Sequence, residues 1–391
     1  MPTPTPDPNA YLRIGSSTYG YYNLDTVVNA DSIRATFGRQ TTSEQPSPSV
    51  LSFTVTRAYD QTAYDFNIND VVEWGLKNGA GTGITRVFYG TVTDINMAVT
   101  YWQNGKGYVD YNIMAVGPLT RLQRYYVNSP LSKQYEGDRI FDICSLVGAS
   151  TSLIETPGGY EVTGVTAAYG PGLGYAQTAA QSGLGLLYED YDKIRYESYL
   201  TRSGRSTSFS LTGNKVEAVN LATTTTITNV VNRVSVAYGS SGGTLSTEYV
   251  DTNSQTLYGP LFGTRSTELH NVSDANTQAQ QLLKARAYPY AEVTSMVINL
   301  ENPNLTTTDK NNLLAVRTGQ RCTLPLTTVM GTSIDAYIEG YSWELRNRQR
   351  ILTLYISDHN QNVPYTVWYN VDAAATWNTY ATATTTWSDI T

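Results

Sequence analysis

The chain has 391 residues, 40% of them hydrophobic and 15% charged, with a net charge of -7. That length exceeds one ordinary core and calls for several modules of roughly 100 residues each, and the low charge excludes a disordered chain. An acidic balance without a Lys/Arg cluster opposes tight binding to phosphate backbones or anionic lipid, and no apolar run approaches the ~20 residues of a bilayer span.

The 31 Tyr and 31 Gly, with Thr runs at 223–226 and 384–386, favour strands and turns over helices. Residues 1–10 begin Met1-Pro2-Thr3-Pro4-Thr5-Pro6-Asp7-Pro8, which lacks a signal peptide's basic start and apolar run and is expected to be an extended arm. From 11 to 127 the pattern is nearly all strand: 51–56 and 87–93 alternate with period two, and 108–116 follows the turn Asn104-Gly105-Lys106-Gly107. A first β-barrel or sandwich is expected there.

A second module, 128–215, opens with a helix in which Ile140, Ile143, Cys144 and Val147 share a face and Gly148 supplies the stop. Helical turns are expected over 176–181, ended by Gly183 and Gly185, and then two strands, 186–190 and 194–198, joined at Tyr191-Asp192-Lys193. In the third module, 216–303, a strand at 230–238 precedes a helix over 274–287 with Ser273 as N-cap and Tyr288-Pro289 as its end. A strand at 293–300 follows, which predicts a helix packed on a small sheet.

After Asn302-Pro303-Asn304, strands return at 321–326, 336–345 and 350–357, giving a second β-barrel domain over 304–360. Residues 361–391 place Trp368, Trp377 and Trp387 among Thr, Ala and Asn. A segment too small to bury its own tryptophans is expected to dock on a neighbour, so these three are the candidate partner-interface residues. The fold class predicted is mainly β with α+β insertions.

Candidate chemistry is sparse. His270 and His359 are the only histidines and fall in loops, which leaves a metal site or a Ser-His-Asp triad little to work with. Residues 65–70 imitate a calcium loop but carry Asp70 where glycine is required and Leu76 where glutamate is; a turn leading into a strand is the better account. Glu189, Asp190, Asp192 and Glu197 offer paired carboxylates of the kind glycoside hydrolysis uses, yet on a hairpin such charges mark the solvated face. Gly79 to Gly83 and Gly170 to Gly174 lack the strand-before, helix-after context of a phosphate loop. Cys144 and Cys322, in apolar contexts, are expected to be buried free thiols. No catalytic residue, cofactor or metal ligand is assigned.

A set of short motifs in fixed order covers most of the chain: Phe37-Gly38-Arg39, Glu44-Gln45-Pro46-Ser47-Pro48, Tyr89-Gly90-Thr91-Val92-Thr93-Asp94, Gly117-Pro118-Leu119, 183–196, Val231-Asn232-Arg233-Val234, Tyr258-Gly259 and Gly340-Tyr341-Ser342-Trp343. Together they resemble the baseplate hub or minor tail proteins of long-tailed (siphovirus) actinobacterial phages, the tail-hub family, although that family more often has a glycine in the hairpin turn near Lys193. The resemblance implies two tail-tube-like β-barrels per chain, and a homotrimer whose six barrels adapt the sixfold tail tube to a threefold tip. It implies as partners the distal tail or tail tube protein, the tape measure protein and other baseplate or fibre proteins. The location implied is the virion's tail tip, after assembly in the bacterial host cytoplasm. DNA would be cargo passing through a lumen whose carboxylates and hydroxyls do not hold its phosphates. Two other classes are open: a carbohydrate-binding tail protein contacting the host cell wall, for which Tyr and Trp supply stacking surfaces, and a wall-degrading tail enzyme, for which no spare domain remains.

Overall fold

The computed structural model describes residues 10–15, 17–19, 26–42, 44–58, 67–103, 106–212, 215, 222–224, 230–239, 243–289, 292–325, 333–346 and 349–358. The chain is mainly β with α+β elements, as the composition predicts. The arm before Ala10 and His359 lie outside the described residues.

The first strands are β1 (Ala10–Ile14), β2 (Ser17–Tyr19), β3 (Thr26–Gly38), β4 (Val50–Ala58), β5 (Val71–Lys77), β6 (Ile84–Gln103) and β7 (Lys106–Val116). In β4 the period-two pattern places Leu51, Phe53 and Val55 in the core, each worth about 1.5–3 kcal/mol when fully buried. Its outward Thr54 and Thr56 donate across the ladder to Asn112 at 2.8 Å and Asp110 at 2.5 Å. These strands form a wall in the order β2-β1-β5-β6-β7-β4-β3, curled until β2 lies near β3. Of the false calcium sequence, the described residues 67–70 form the turn before β5, where Asn67 N–H donates to Asp70 at 2.6 Å.

The second module holds α1 (Thr120–Arg124), β8 (Tyr126–Val127), β9 (Gln134–Tyr135), α2 (Glu136–Leu146), β10 (Glu161–Val162), β11 (Gly170–Pro171), α3 (Gly172–Ser182), β12 (Leu186–Asp190), β13 (Lys193–Glu197), α4 (Tyr199–Ser203) and β14 (Thr207–Ser210). Gly148 follows α2 at φ 65°, as the stop signal predicts. The β12–β13 turn has only Tyr191 and Asp192 between the strands, and Tyr191 itself takes φ 58° where the resemblance expects a glycine nearby. The Tyr191 ring packs against Tyr89 of β6, with centroids 5.4 Å apart, a contact that glycine does not make.

Next come β15 (Ala222–Thr224), β16 (Arg233–Tyr238), β17 (Thr244–Leu245), β18 (Tyr249–Val250), α5 (Thr252–Tyr258), β19 (Phe262–Ser266), α6 (Val272–Arg286) and β20 (Glu292–Asn299). α6 packs through Ala275 and Ala279 on Val234 and Val236 of β16. Its N-cap position is Asn271, so Ser273 lies inside the helix instead of capping it; the Asn271 amide is turned to Asp274 at 3.3 Å and Glu161 at 3.4 Å. β20 leaves this small sheet, contrary to expectation, because its buried Met296 and Ile298 fit the large core and its ladder runs with the last strand. The chain closes with α7 (Thr307–Leu314), β21 (Arg321–Pro325), β22 (Ser333–Arg346) and β23 (Gln349–Asp358). α7 is a helix in a segment expected to hold only strands, and Thr306 and Asp309 cap it reciprocally.

A second wall runs β15-β20-β23-β22, with β21 on β22 and β14 on β21. It therefore draws β14, β15 and β20 from the segments before residue 304. The two walls meet edge to edge through β3 and β22, making one sheet of 13 described strands. A single buried cluster spans both, from Leu12, Phe53 and Trp74 to Met296, Trp343 and Leu352.

The two walls repeat one another. β3, β4, β5, β6 and β7 pair among themselves as β15, β20, β21, β22 and β23 do, in the same chain order and all antiparallel. The long strand of each carries a bulge, Thr93 between Val92 and Asp94 in β6 and Glu339 between Ile338 and Gly340 in β22. In each, the residue two before the bulge faces its short neighbour: Thr91 opposite Val71, Tyr337 opposite Arg321. The walls diverge outside this unit, where β1 runs antiparallel to β5 but β14 runs parallel to β21.

Candidate functional site

The most concentrated polar chemistry lies where β3, β22 and α4 converge. Phe37 and Tyr341 stack across the ladder with centroids 4.5 Å apart. Beside them the backbones of Gly38, at φ 72°, and Gly340 cross so closely that a methyl group on Gly38 would sit 2.6 Å from the Gly340 Cα.

The bulge turns Glu339 inward, where it is 1% exposed. Arg39 grips its Oε2 through Nε at 2.8 Å and Nη2 at 2.7 Å. Arg202 of α4 and the Ser357 hydroxyl both donate to Oε1. Burial opposes this charge, but Arg202, Arg39 and Ser357 outweigh it and hold the carboxyl down at about 2. The Arg202 guanidinium lies 4.7 Å over the Tyr337 ring, and Tyr337 Oη donates to the Arg202 carbonyl at 2.8 Å. Both carboxylate oxygens are thus occupied by side chains of the chain itself, so the group joins three segments and is not open to a substrate.

Glu189 and Glu197 correct the expectation of a solvated hairpin. Glu189 Oε2 accepts from Ser49 N–H at 3.0 Å and from the Ser49 hydroxyl, and Oε1 from Leu119 N–H at 2.6 Å. Burial pushes its carboxyl up to about 7 against the pull of those donors. Gln45 acts as a further strand partner for the hairpin, donating to Gly185 O at 3.0 Å and accepting from Leu187 N–H at 3.2 Å. Buried Glu197 accepts from Tyr188 at 2.9 Å and pairs with Arg205. Asp190 lies 3.4 Å from both Arg195 and Arg317. Glu189 and Asp190 therefore fasten the hairpin to the segments before β4 and β21, Glu197 is held within the second module, and Asp192 alone is exposed as expected.

Similar joints tie the remaining modules. Fully buried Arg139 donates to Glu268 at 2.9 Å, Ser132 O at 2.8 Å and Thr163 O at 2.5 Å. Asn232, also fully buried, donates to Gly259 O at 2.8 Å and accepts from Leu261 N–H at 2.7 Å, which brings together Val231-Asn232-Arg233 and Tyr258-Gly259. Arg350 spans the walls a second time, from Glu301 to Lys77 O, at 2.6 Å each.

The motifs that carry the resemblance thus meet at these joints, though they are far apart in sequence. Glu339 was missed, although a lone acid between Ile338 and Gly340 in an apolar strand was a readable sign of a buried, paired charge. Arg202 carried no such sign. Cys144 and Cys322 are buried and free, and burial pushes the Cys144 thiol up to about 12. His270 is exposed in a loop. Trp368, Trp377 and Trp387 lie outside the described residues. No described helix is long and apolar enough to cross a membrane.

No family model and no curated protein matches the chain. Solved structures do. The 43 kDa tail protein of prophage MuSo2 from Shewanella oneidensis is 11% identical with a TM-score of 0.60, covering 91% of this chain and 98% of that one. A tail protein from Neisseria meningitidis MC58 is 9% identical with a TM-score of 0.56, covering 91% and 99%. An E. coli component of the type VI secretion system, described as structurally similar to T4 bacteriophage tail proteins gp27 and gp5, is 12% identical with a TM-score of 0.50, covering 90% and 78%. The chain therefore has the fold of phage tail proteins over nearly its whole described length.

Proposed function

We propose that the chain is a structural, non-enzymatic protein of a phage tail, the hub of the baseplate at the distal tip. Three copies form a ring in which each supplies two walls, so that six similar walls match the sixfold tube while the whole keeps threefold symmetry. The distal tail or tube protein, the tape measure protein and other baseplate or fibre proteins are its partners, and DNA passes through the ring without being held. The observation that carries this is the repeat of five strands in one order, bulge included, with the two copies joined edge to edge. A molecule that presents two like walls can offer six to its neighbours from three chains. The acidic balance suits passage of DNA, because clustered cations would trap phosphates along the bore.

Electron microscopy of the concentrated protein tests this. Threefold rings of six alike walls around an open axis are expected; rings of another order, or a bore lined by Lys and Arg, would sink it.

A further inference from the structure

Two tyrosines of the second module face outward. β8 and β11 form a two-stranded ribbon in which Tyr126 lies opposite Pro171 and Val127 opposite Gly170. Val127 is 1% exposed and Gly170 is buried, so the inner face of the ribbon rests on the core of the module, whereas Tyr126 is 59% and Tyr169 67% exposed. Tyr169 stands two residues before Pro171, and the period of two puts it on the same outer face as Tyr126. Such diagonal positions are about 7–8 Å apart, close enough for the two rings to lie under neighbouring units of one polymer. Tyr188 and Tyr196 of the same module behave differently: each is 1% exposed and donates its hydroxyl to a carboxylate, Glu197 and Glu136.

The ribbon is braced from below. Gly172 N–H donates to Tyr125 O at 2.8 Å, the Tyr125 ring lies against Gly172 and the Tyr175 ring against Gly170. The exposed rings are therefore held in place before any ligand arrives. Charge marks the same surface. α1 leads into β8 and carries Arg121 and Arg124 three positions apart, hence on one side of its turn, both exposed. Neither is ion-paired among the described residues, while Arg139, Arg195 and Arg202 of the same module are matched to Glu268, Asp190 and Glu339. Residues 111–135 and 162–188 contain no Asp or Glu, in a chain of net charge -7, so the two stretches that build this surface supply no acid to neutralise it.

We propose that this outer surface, Tyr126 and Tyr169 with Arg121 and Arg124, binds an acidic polysaccharide. The tyrosine rings, apolar in body and polar at the tip, stack on the apolar faces of the sugar rings, and each guanidinium takes a carboxylate through two parallel N–H donors. The exposed amides of Gln123 and Asn128 add hydrogen bonds for sugar hydroxyls. A neutral glycan leaves both guanidinium groups unmatched, and a polyanion without rings leaves both tyrosines uncovered. Charge complementarity and ring stacking together therefore select a ligand that has both. This binding is additional to the structural role proposed above and does not depend on the ring.

Surface plasmon resonance on the full chain tests it, with four probes of matched length: polygalacturonate and hyaluronate as acidic polysaccharides, dextran as a neutral one, and poly-L-glutamate as a polyanion without sugar rings. At least one acidic polysaccharide should bind about tenfold or more tightly than dextran and poly-L-glutamate. Tyr126→Ser with Tyr169→Ser, and separately Arg121→Ser with Arg124→Ser, should each weaken that binding about tenfold or more at an unchanged Tm, because all four side chains are exposed. Binding of neither acidic polysaccharide would overturn the proposal. Equal binding of poly-L-glutamate would reassign the surface to an acidic polypeptide, and equal binding of dextran would remove the role of charge; either overturns it. Undiminished binding by the tyrosine variant would put the site elsewhere and overturn it as well.

Discussion

Glu339 and Glu189 are both enclosed carboxylates at joints, and their partners set them apart. Glu339 faces two guanidinium groups and a hydroxyl and stays ionised at all ordinary pH, with its carboxyl at about 2. Glu189 faces only backbone N–H groups and one hydroxyl, so burial prevails and its carboxyl rises from 4.5 to about 7. The folded chain then holds the Glu189 proton more tightly than the unfolded chain does. Its contribution to stability is full below pH 4.5 and is lost as pH rises through about 7. A shift of that size corresponds to on the order of 3 kcal/mol. Thermal melts across that window should show stability falling as pH rises, and Glu189→Gln, which cannot ionise, should remove most of that slope. An equal slope in the variant would assign it to other groups.

At the scale of elements, the β3–β22 ladder is the step on which the sheet's continuity depends. Gly38 combines φ 72° with a neighbour against which no side chain fits, so Gly38→Ala meets both backbone strain and a clash with β22. The cost should be on the order of 3 kcal/mol, read as a fall in the denaturation midpoint. Gly148→Ala, at φ 65° with nothing within 4 Å of the added methyl, isolates the strain alone and should cost less. If the two substitutions cost the same, the close approach contributes nothing and the ladder is looser than described.

Across the whole molecule, the shared core and the Glu339, Arg350 and Glu189 joints bind the walls and the second module into one body. The walls should therefore unfold together. Native-state hydrogen exchange should give the amides of Phe53 and Ile113 in the first wall and of Tyr341 and Leu352 in the second a common opening free energy. Two clearly separate values would mean that each wall is stable by itself. An acid in a strand has little local preference, and only the partners brought to it decide whether it is solvated or buried. That is why the expectation for the β12–β13 hairpin failed at Glu189 and Glu197 while the hairpin itself was found.

The sequence by itself determined what is local. Alternation set the strands at 51–56, 108–116 and 350–357, because period two fixes which side chains share a face. The Gly148 stop and the apolar stripe of α2 set that helix in the same way. The Thr306 and Asp309 capping pair was equally local and could have revealed α7. Only the tertiary structure decided that β20 belongs to the second wall, that Gly38 lies against Gly340, and that Arg39 and Arg202 share one carboxylate. Those relations join residues as far apart as Gly38 and Gly340, and no periodicity reaches that far: ladder partners and buried ion pairs are selected by the packing of the whole chain, not by the neighbours of each residue.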